Sequence, residues 1–225
     1  MAAVGGVLQA RALLFDFDGT LVDGFRPIMA GLNAAFAHFG MPPWSEAQTR
    51  QRVGRPLTQT FPEMFGERWL EARACFYAAH DAVYLDDTQA LPGCAEFLAE
   101  AFTAGIPMGI VTNRRGDRTR PLIEALGWGR YFPVVLGVGD GLEGKPDPTL
   151  LRVAVAWLGT RPGQAVYLGD SPLDMTTALA AGLAGVGVAP LRQHPEQAMR
   201  EAGALRCFDN WQALRSSGLV LARDP

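Results

Sequence analysis

The sequence predicts an α/β fold, a parallel β-sheet covered by helices on both faces, with a block of helices inserted near its start. Three observations predict it. Ala12-Leu13-Leu14-Phe15 is a short apolar run ending at an aspartate, so it reads as a buried strand. From about residue 92 onward, runs of the same kind alternate with single helical patterns, which implies crossover connections between parallel strands. Between residues 25 and 83 no strand-like run occurs, and apolar residues fall at helical spacing instead.

Taken in order, Ile28, Leu32, Phe36 and Phe39 follow helical spacing after Pro27. Leu57, Phe61, Met64 and Phe65 do the same, and Leu70, Phe76 and Tyr77 more loosely. Asp23-Gly24 and residues 85–88 flank this block as turns. Residues 93–104 then read as a helix closed by Gly105, followed by a strand over 108–111. A helix over 117–126 stops at Gly127, and 134–136 is the next strand. Pro148 opens a helix that ends before Gly159, the expected asymmetry of proline at the start and glycine past the end. Residues 165–168 form a strand, Pro172 opens a helix to Gly182, and 185–188 closes the series.

The 225 residues fit one large domain or a core with an insertion. Twenty basic and 23 acidic side chains leave a net charge of −3, which argues against nucleic acid or an anionic membrane as partner. Hydrophobic residues make up 48%, enough for a substantial core, and 26 glycines with 16 prolines stay below the disordered range. Cys75, Cys94 and Cys207 form no disulfide or zinc pattern and fit a reducing, cytoplasmic setting. No secretory signal is visible at the start, and the uncharged run 175–191 holds three glycines and Pro190, so it reads as helix, turn and strand rather than a membrane span. Nineteen of the 20 basic residues are arginine, and Lys145 is the only lysine.

Open parallel sheets bind ligands beyond the carboxyl ends of their strands. After the first strand comes Asp16-Phe17-Asp18-Gly19-Thr20-Leu21-Val22-Asp23, after a later one Thr112-Asn113, then Lys145-Pro146, and finally Gly169-Asp170-Ser171-Pro172-Leu173-Asp174. Asp16, Asp18, Asp170 and Asp174 carry −4, while Lys145 with one divalent cation carries +3, so one retained proton closes the balance. A hard, oxygen-ligated ion such as Mg²⁺ suits that set. Singly, each piece has a plain reading: Asp18-Gly19 as a turn, Asp170-Ser171-Pro172 as a helix cap, Thr112-Asn113 as a strand end. Capping does not explain two aspartates at 16 and 18 together with the lone lysine. A calcium loop is excluded because Gly19 and Pro27 fall at its positions 4 and 12. A P-loop at Gly139 to Lys145 lacks its metal-binding hydroxyl, which Pro146 replaces.

The four motifs in this order resemble the haloacid dehalogenase superfamily, specifically phosphatases with a helical cap inserted after the first motif, and most of all the phosphoglycolate phosphatases. The resemblance implies a Rossmann-like parallel-sheet core of residues 1–22 and 88–225, with an α-helical cap domain of residues 23–87. It implies an aspartyl-phosphate mechanism in which Asp16 is the nucleophile and Asp18 protonates the leaving oxygen, then activates water. Thr112 and the Asn113 backbone amide are expected to hold the phosphoryl oxygens, and Lys145 to bridge Asp16 and the phosphate. Asp16, the Asp18 main-chain carbonyl and Asp170 are expected to hold Mg²⁺, with Thr20 and Asp174 supporting them from behind. The expected partner is a small phosphorylated metabolite.

Within the superfamily, Asp18 argues against dehalogenases, which lack that second acid, and a cap without lysine argues against phosphonatases. A phosphohexose mutase of the β-phosphoglucomutase kind shares every core residue, and a catalytically silent binding protein would keep the same fold. Arg50, Arg52 and Arg55 cluster in the cap; Arg55 is expected either to reach a second anionic group of the substrate or to be solvated surface. His38, His80 and His194 sit at no ligand spacing.

Overall fold

The structure, a computed structural model, describes residues 10–52, 55–191 and 193–217. The first residues, read above for a leader, and Gly54 beside Arg55 lie outside the described residues. The chain enters through β1 (Ala12–Phe15) and leaves it through β2 (Val22–Asp23). Helices α1 (Phe25–His38), α2 (Glu46–Arg52), α3 (Leu57–Phe65), α4 (Trp69–Asp81) and α5 (Tyr84–Asp87) follow. The return is through β3 (Gln89–Ala90), which pairs with β2. Then come α6 (Cys94–Thr103), β4 (Met108–Arg115), α7 (Gly116–Ala125), β5 (Val134–Val138), α8 (Thr149–Trp157) and β6 (Ala165–Gly169). The last elements are α9 (Pro172–Ala181), β7 (Ala184–Val188), α10 (Glu196–Glu201), β8 (Ala204–Phe208) and α11 (Trp211–Ser216). Asp23–Gln89 forms one compact unit and the rest of the described chain forms the other.

Six strands make one parallel sheet in the order β5-β4-β1-β6-β7-β8. Leu13 lies opposite Met108 on one side and Val166 on the other. The chain therefore runs outward from β1 in both directions, and the ligand crevice of such a sheet opens at the carboxyl ends of the strands beside that reversal. Ala12 and Leu14 join Val111, Tyr167, Leu150, Ala154 and Ala178 in a buried cluster beneath α8 and α9. On the opposite face Phe15 meets Phe97, Phe132 and Trp211, with ring centroids at 6.3, 5.9 and 6.1 Å. Burial on both faces explains why β1 is apolar at every position instead of alternating.

Two strands of the six-stranded sheet differ from the sequence expectation, and the short pair β2 and β3 is additional to it. β4 continues past Val111 to Arg115, and its pairing with β5 slips on the way: Thr112 lies opposite Gly137, but Arg115 lies opposite Val138. Asn113 and Arg114 are thus extra on the β4 side, a bulge that turns them out of the ladder. The parallel series also does not close at 188, because β8 adds a sixth strand. β8 is only partly buried and is interrupted by Arg206, so it lacks the apolar run that marks the inner strands.

In the helical unit, α1 packs on α4. Its core is Leu32, Ala35, Phe36, Phe61, Phe65, Ala72 and Phe76, with Phe61 packed against Phe65 at 5.1 Å and Phe76 at 5.7 Å between centroids. Each buried phenylalanine contributes about 1.5–3 kcal/mol. Among the described residues no helix is long and apolar enough to cross a membrane.

Gly31 packs tightly in this unit: an added Cβ there would lie 2.6 Å from the Phe76 ring. Alanine gains about 1 kcal/mol of helix propensity over glycine, whereas overpacking a filled core costs about 1–3 kcal/mol. Gly31→Ala is therefore expected to lower the urea midpoint of the chain; an unchanged or higher midpoint would show that the α1–α4 contact has slack.

Candidate active site

The Asp16 amide donates to the Leu168 carbonyl at 2.8 Å, so the ladder between β1 and β6 carries on into the first residue of the site. The chain then turns tightly. The Phe17 carbonyl accepts from the Leu21 and Val22 amides at 2.9 and 3.1 Å, and the Gly19 amide donates to the Val22 carbonyl at 2.8 Å. Gly19 has φ +86°, and a Cβ there would collide with the Asp170 carboxylate. Both the backbone angle and the close approach require glycine. The turn is thus real, and it also carries the site. The Thr20 hydroxyl donates to Asp170 Oδ1 at 2.9 Å, and the buried Trp211 indole donates to the Thr20 carbonyl at 2.9 Å, tying the loop to α11.

Lys145 is the hub. Its Nζ lies 2.8 Å from Asp16 Oδ1, 2.6 Å from Asp174 Oδ1 and 3.1 Å from the Tyr167 hydroxyl, which matches the three protons of an ammonium. Tyr167 in turn donates to the Val111 carbonyl at 2.8 Å. Asp174 also forms the capping box of α9: its Oδ2 accepts from the Ser171 amide at 3.0 Å and hydroxyl at 2.6 Å, while the Ser171 Oγ accepts from the Asp174 amide. The cap expected for this segment is therefore present, and the same carboxylate anchors the lysine. With both oxygens engaged, fully buried Asp174 positions Lys145.

The β4 bulge delivers the remaining groups. Thr112 Oγ1 accepts from the Arg114 amide at 3.1 Å, which leaves its own hydroxyl proton to donate. Asn113 Nδ2 donates to the Lys145 carbonyl at 3.1 Å, joining two of the motifs. Arg114 Nη1 donates to Asp18 Oδ1 at 2.7 Å. Sequence reasoning missed Arg114 and Tyr167. A tyrosine inside the buried run of β6 must find a partner for its hydroxyl, and that signal was readable. Arg114 carries no such mark in a chain of 19 arginines.

Asp16, Asp170 and Asp174 offer carboxylate oxygens within 4.8 Å of one another, all buried. One ammonium faces three carboxylates. Burial pushes the Asp16 carboxyl up to about 7; Lys145 pulls the other way but does not win, and Asp174 adds repulsion. Asp170 is held well above the usual carboxylate range by burial, then by Asp174 and Asp16. Burial disfavours the Lys145 ammonium, yet Asp16 and Asp174 outweigh it and raise the lysine above its ordinary value. A site whose carboxylates cling to protons in this way is short of positive charge, and its hard oxygen donors fit a small divalent cation.

Arg55 lies in the other unit. Its guanidinium makes a bidentate pair with Glu63, at 3.1 and 2.8 Å, on a half-exposed surface.

Residues 13–188 match the family model described as haloacid dehalogenase-like hydrolase. The chain is 32% identical over 217 residues to the phosphoglycolate phosphatase of Rhodospirillum rubrum, covering 91% of this chain and 89% of that protein. It is 34% identical over 181 residues to the phosphoglycolate phosphatase of Xanthomonas campestris, covering 78% and 81%. In fold it matches the crystal structure of a haloacid dehalogenase-like hydrolase from Bacteroides fragilis, with a TM-score of 0.85 at 24% identity over 91% of this chain and 99% of that one. A six-stranded sheet reversing at β1, with the aspartate at the end of β1 and the one in the first turn of α9 locked to one lysine, thus sits in a chain whose sequence matches one family from β1 to β7: the protein belongs to the haloacid dehalogenase-like hydrolases.

Proposed function

We propose that the protein is a Mg²⁺-dependent phosphatase that hydrolyses small phosphomonoesters, 2-phosphoglycolate foremost, through an aspartyl-phosphate on Asp16. The observation that carries this reading is the Asp16 carboxylate, buried beside Asp170 and held 2.8 Å from a lysine that Asp174 and Tyr167 fix in place. The similarity to phosphoglycolate phosphatases supports the substrate class.

Asp16, the Asp18 main-chain carbonyl and Asp170 would hold the ion. Mg²⁺ there supplies the positive charge that lets a carboxylate approach a phosphate dianion. Asp16 attacks phosphorus, and the bond to the leaving oxygen breaks with its electron pair going to that oxygen. Asp18 gives the leaving oxygen a proton, then takes one from the water that hydrolyses the acyl phosphate and regenerates Asp16. The Thr112 hydroxyl and the Asn113 amide hold the phosphoryl oxygens. Lys145 steadies Asp16, and contact with the phosphate as well requires it to loosen one of its three partners, of which Tyr167 is the longest at 3.1 Å. Asp23–Gln89 is the cap that selects the substrate. An anion contact by Arg55 requires exchange of Glu63 for the substrate carboxylate, and in that case Arg55→Ala raises KM for 2-phosphoglycolate and not for phenyl phosphate.

The direct assay is phosphate release from a panel of phosphomonoesters with Mg²⁺ and with a chelator. Release that needs Mg²⁺ and disappears in Asp16→Asn is the expected result; isomer interconversion without release indicates a mutase, and neither indicates a silent binding protein.

The charge surplus yields a stability prediction for the metal-free protein. Asp16 titrates at about 7 when folded and near 3.8 when unfolded, so between these values the native state binds the extra proton. Stability therefore falls as pH rises through that window. Asp16→Asn removes the share of the slope that Asp16 contributes, Asp170 keeping its own, and is expected to raise the melting temperature at pH 8 by several degrees in the presence of chelator. A lower melting temperature would show that the pair with Lys145 outweighs the burial cost.

A further inference from the structure

We propose that Arg114 is a positioning residue for Asp18, holding the carboxyl group that hands a proton to the leaving oxygen. The proposal rests on the phosphatase reading above and adds a residue to it. Asp18 and Arg114 are 96 positions apart, yet they meet because β1 and β4 are neighbours in the sheet. The side chain of Arg114 is only 7% exposed, while 25% of the Asp18 side chain is exposed. A surface ion pair between two solvated side chains would be worth little. Here the guanidinium is buried, and the carboxylate is the group that would otherwise swing.

Backbone features aim the arginine. The pairing of β4 with β5 slips between Thr112 and Arg115, and the bulge presents Asn113 and Arg114 one after the other. Thr112 Oγ1 accepts the Arg114 amide and so fixes the bulge from within the same motif. Bulges re-aim side chains beside active sites, and this one aims two: Asn113 at the Lys145 carbonyl and Arg114 at Asp18. Arg114 occupies Oδ1 of Asp18, which leaves Oδ2 to carry the proton. As the Asp16–phosphorus bond forms and the ester P–O bond breaks, the leaving oxygen gains an electron pair and takes the proton from that Oδ2. An acid displaced by about 1 Å loses on the order of 100-fold in rate, within the 10²–10⁴-fold that general acid catalysis supplies.

Leaving groups separate this role from a structural one. The phenolate from phenyl phosphate needs a proton as it departs, whereas 4-nitrophenolate departs readily without one. The kcat/KM of each ester reports only the steps through departure of the leaving group. Arg114→Ala is expected to lower kcat/KM for phenyl phosphate about 10–100-fold, with a loss on 4-nitrophenyl phosphate at least about tenfold smaller. Asp18→Asn should show the same bias, and Arg114→Lys should recover part of the loss on phenyl phosphate. Equal losses on both esters would overturn the proposal and place Arg114 on the phosphoryl group or in the fold. No loss on either would show the pair to be idle and overturn it as well. Absence of phosphate release by the wild-type chain would instead overturn the phosphatase reading, and this proposal with it.

Discussion

From one nitrogen, Lys145 donates to Asp16 at the end of β1, to Tyr167 within β6 and to Asp174 in the first turn of α9. The remaining geometry of the site depends on that three-way contact. Asp16 is carried by a strand buried on both faces, so it cannot retreat to water, and without the ammonium two buried carboxylates would face each other unpaired. Breaking such an arrangement costs about 3–5 kcal/mol. Asp174 strengthens the hold because its second oxygen caps α9 through Ser171, making the helix start and the lysine position one structure. A guanidinium would not serve as well. It presents a planar fork, whereas these three acceptors surround a single point on a slim stem.

The same contact leaves the site electrically unfinished. Asp16 and Asp170 both hold protons more tightly than ordinary carboxyls, because burial and mutual repulsion exceed what one lysine supplies. Charge of this kind is a stability cost kept where function requires it. In the proposed mechanism it would also give direction to the chemistry, since the charge of an added cation would favour the ionised, nucleophilic form of Asp16. The fold sets where this happens. β1 lies at the reversal of strand order, so the loops after β1, β4 and β6 converge from neighbouring positions, and the β4 bulge fills the space between them.

Much of this was legible in the amino-acid sequence, for physical reasons that also mark its limits. β1, β6 and β7 are buried on both faces and write themselves as apolar runs, and Lys145 stood out as the only ammonium-bearing side chain. β8 is partly exposed and broken by Arg206, so periodicity passed over it. The end of β4 is polar, so no apolar run marks it, and its bulge follows from pairing with β5, which no local pattern encodes. That is why Asp18 was readable and its partner Arg114 was not. Arg55 shows the opposite case. The sequence singles it out as a cap arginine, but its partner Glu63 lies eight positions on, beyond the i,i+3 and i,i+4 spacings at which side chains pair along a helix.

The proposed function rests on a covalent event at one carboxylate. Mixing the protein with Mg²⁺ and a phosphomonoester, quenching in acid during turnover and mapping peptides by mass spectrometry tests it most directly. The predicted result is a phosphoryl group on the peptide containing Asp16, at Asp16 itself, that vanishes once substrate is exhausted. Phosphate accumulating with no phosphopeptide, or with the group on another residue, would contradict it.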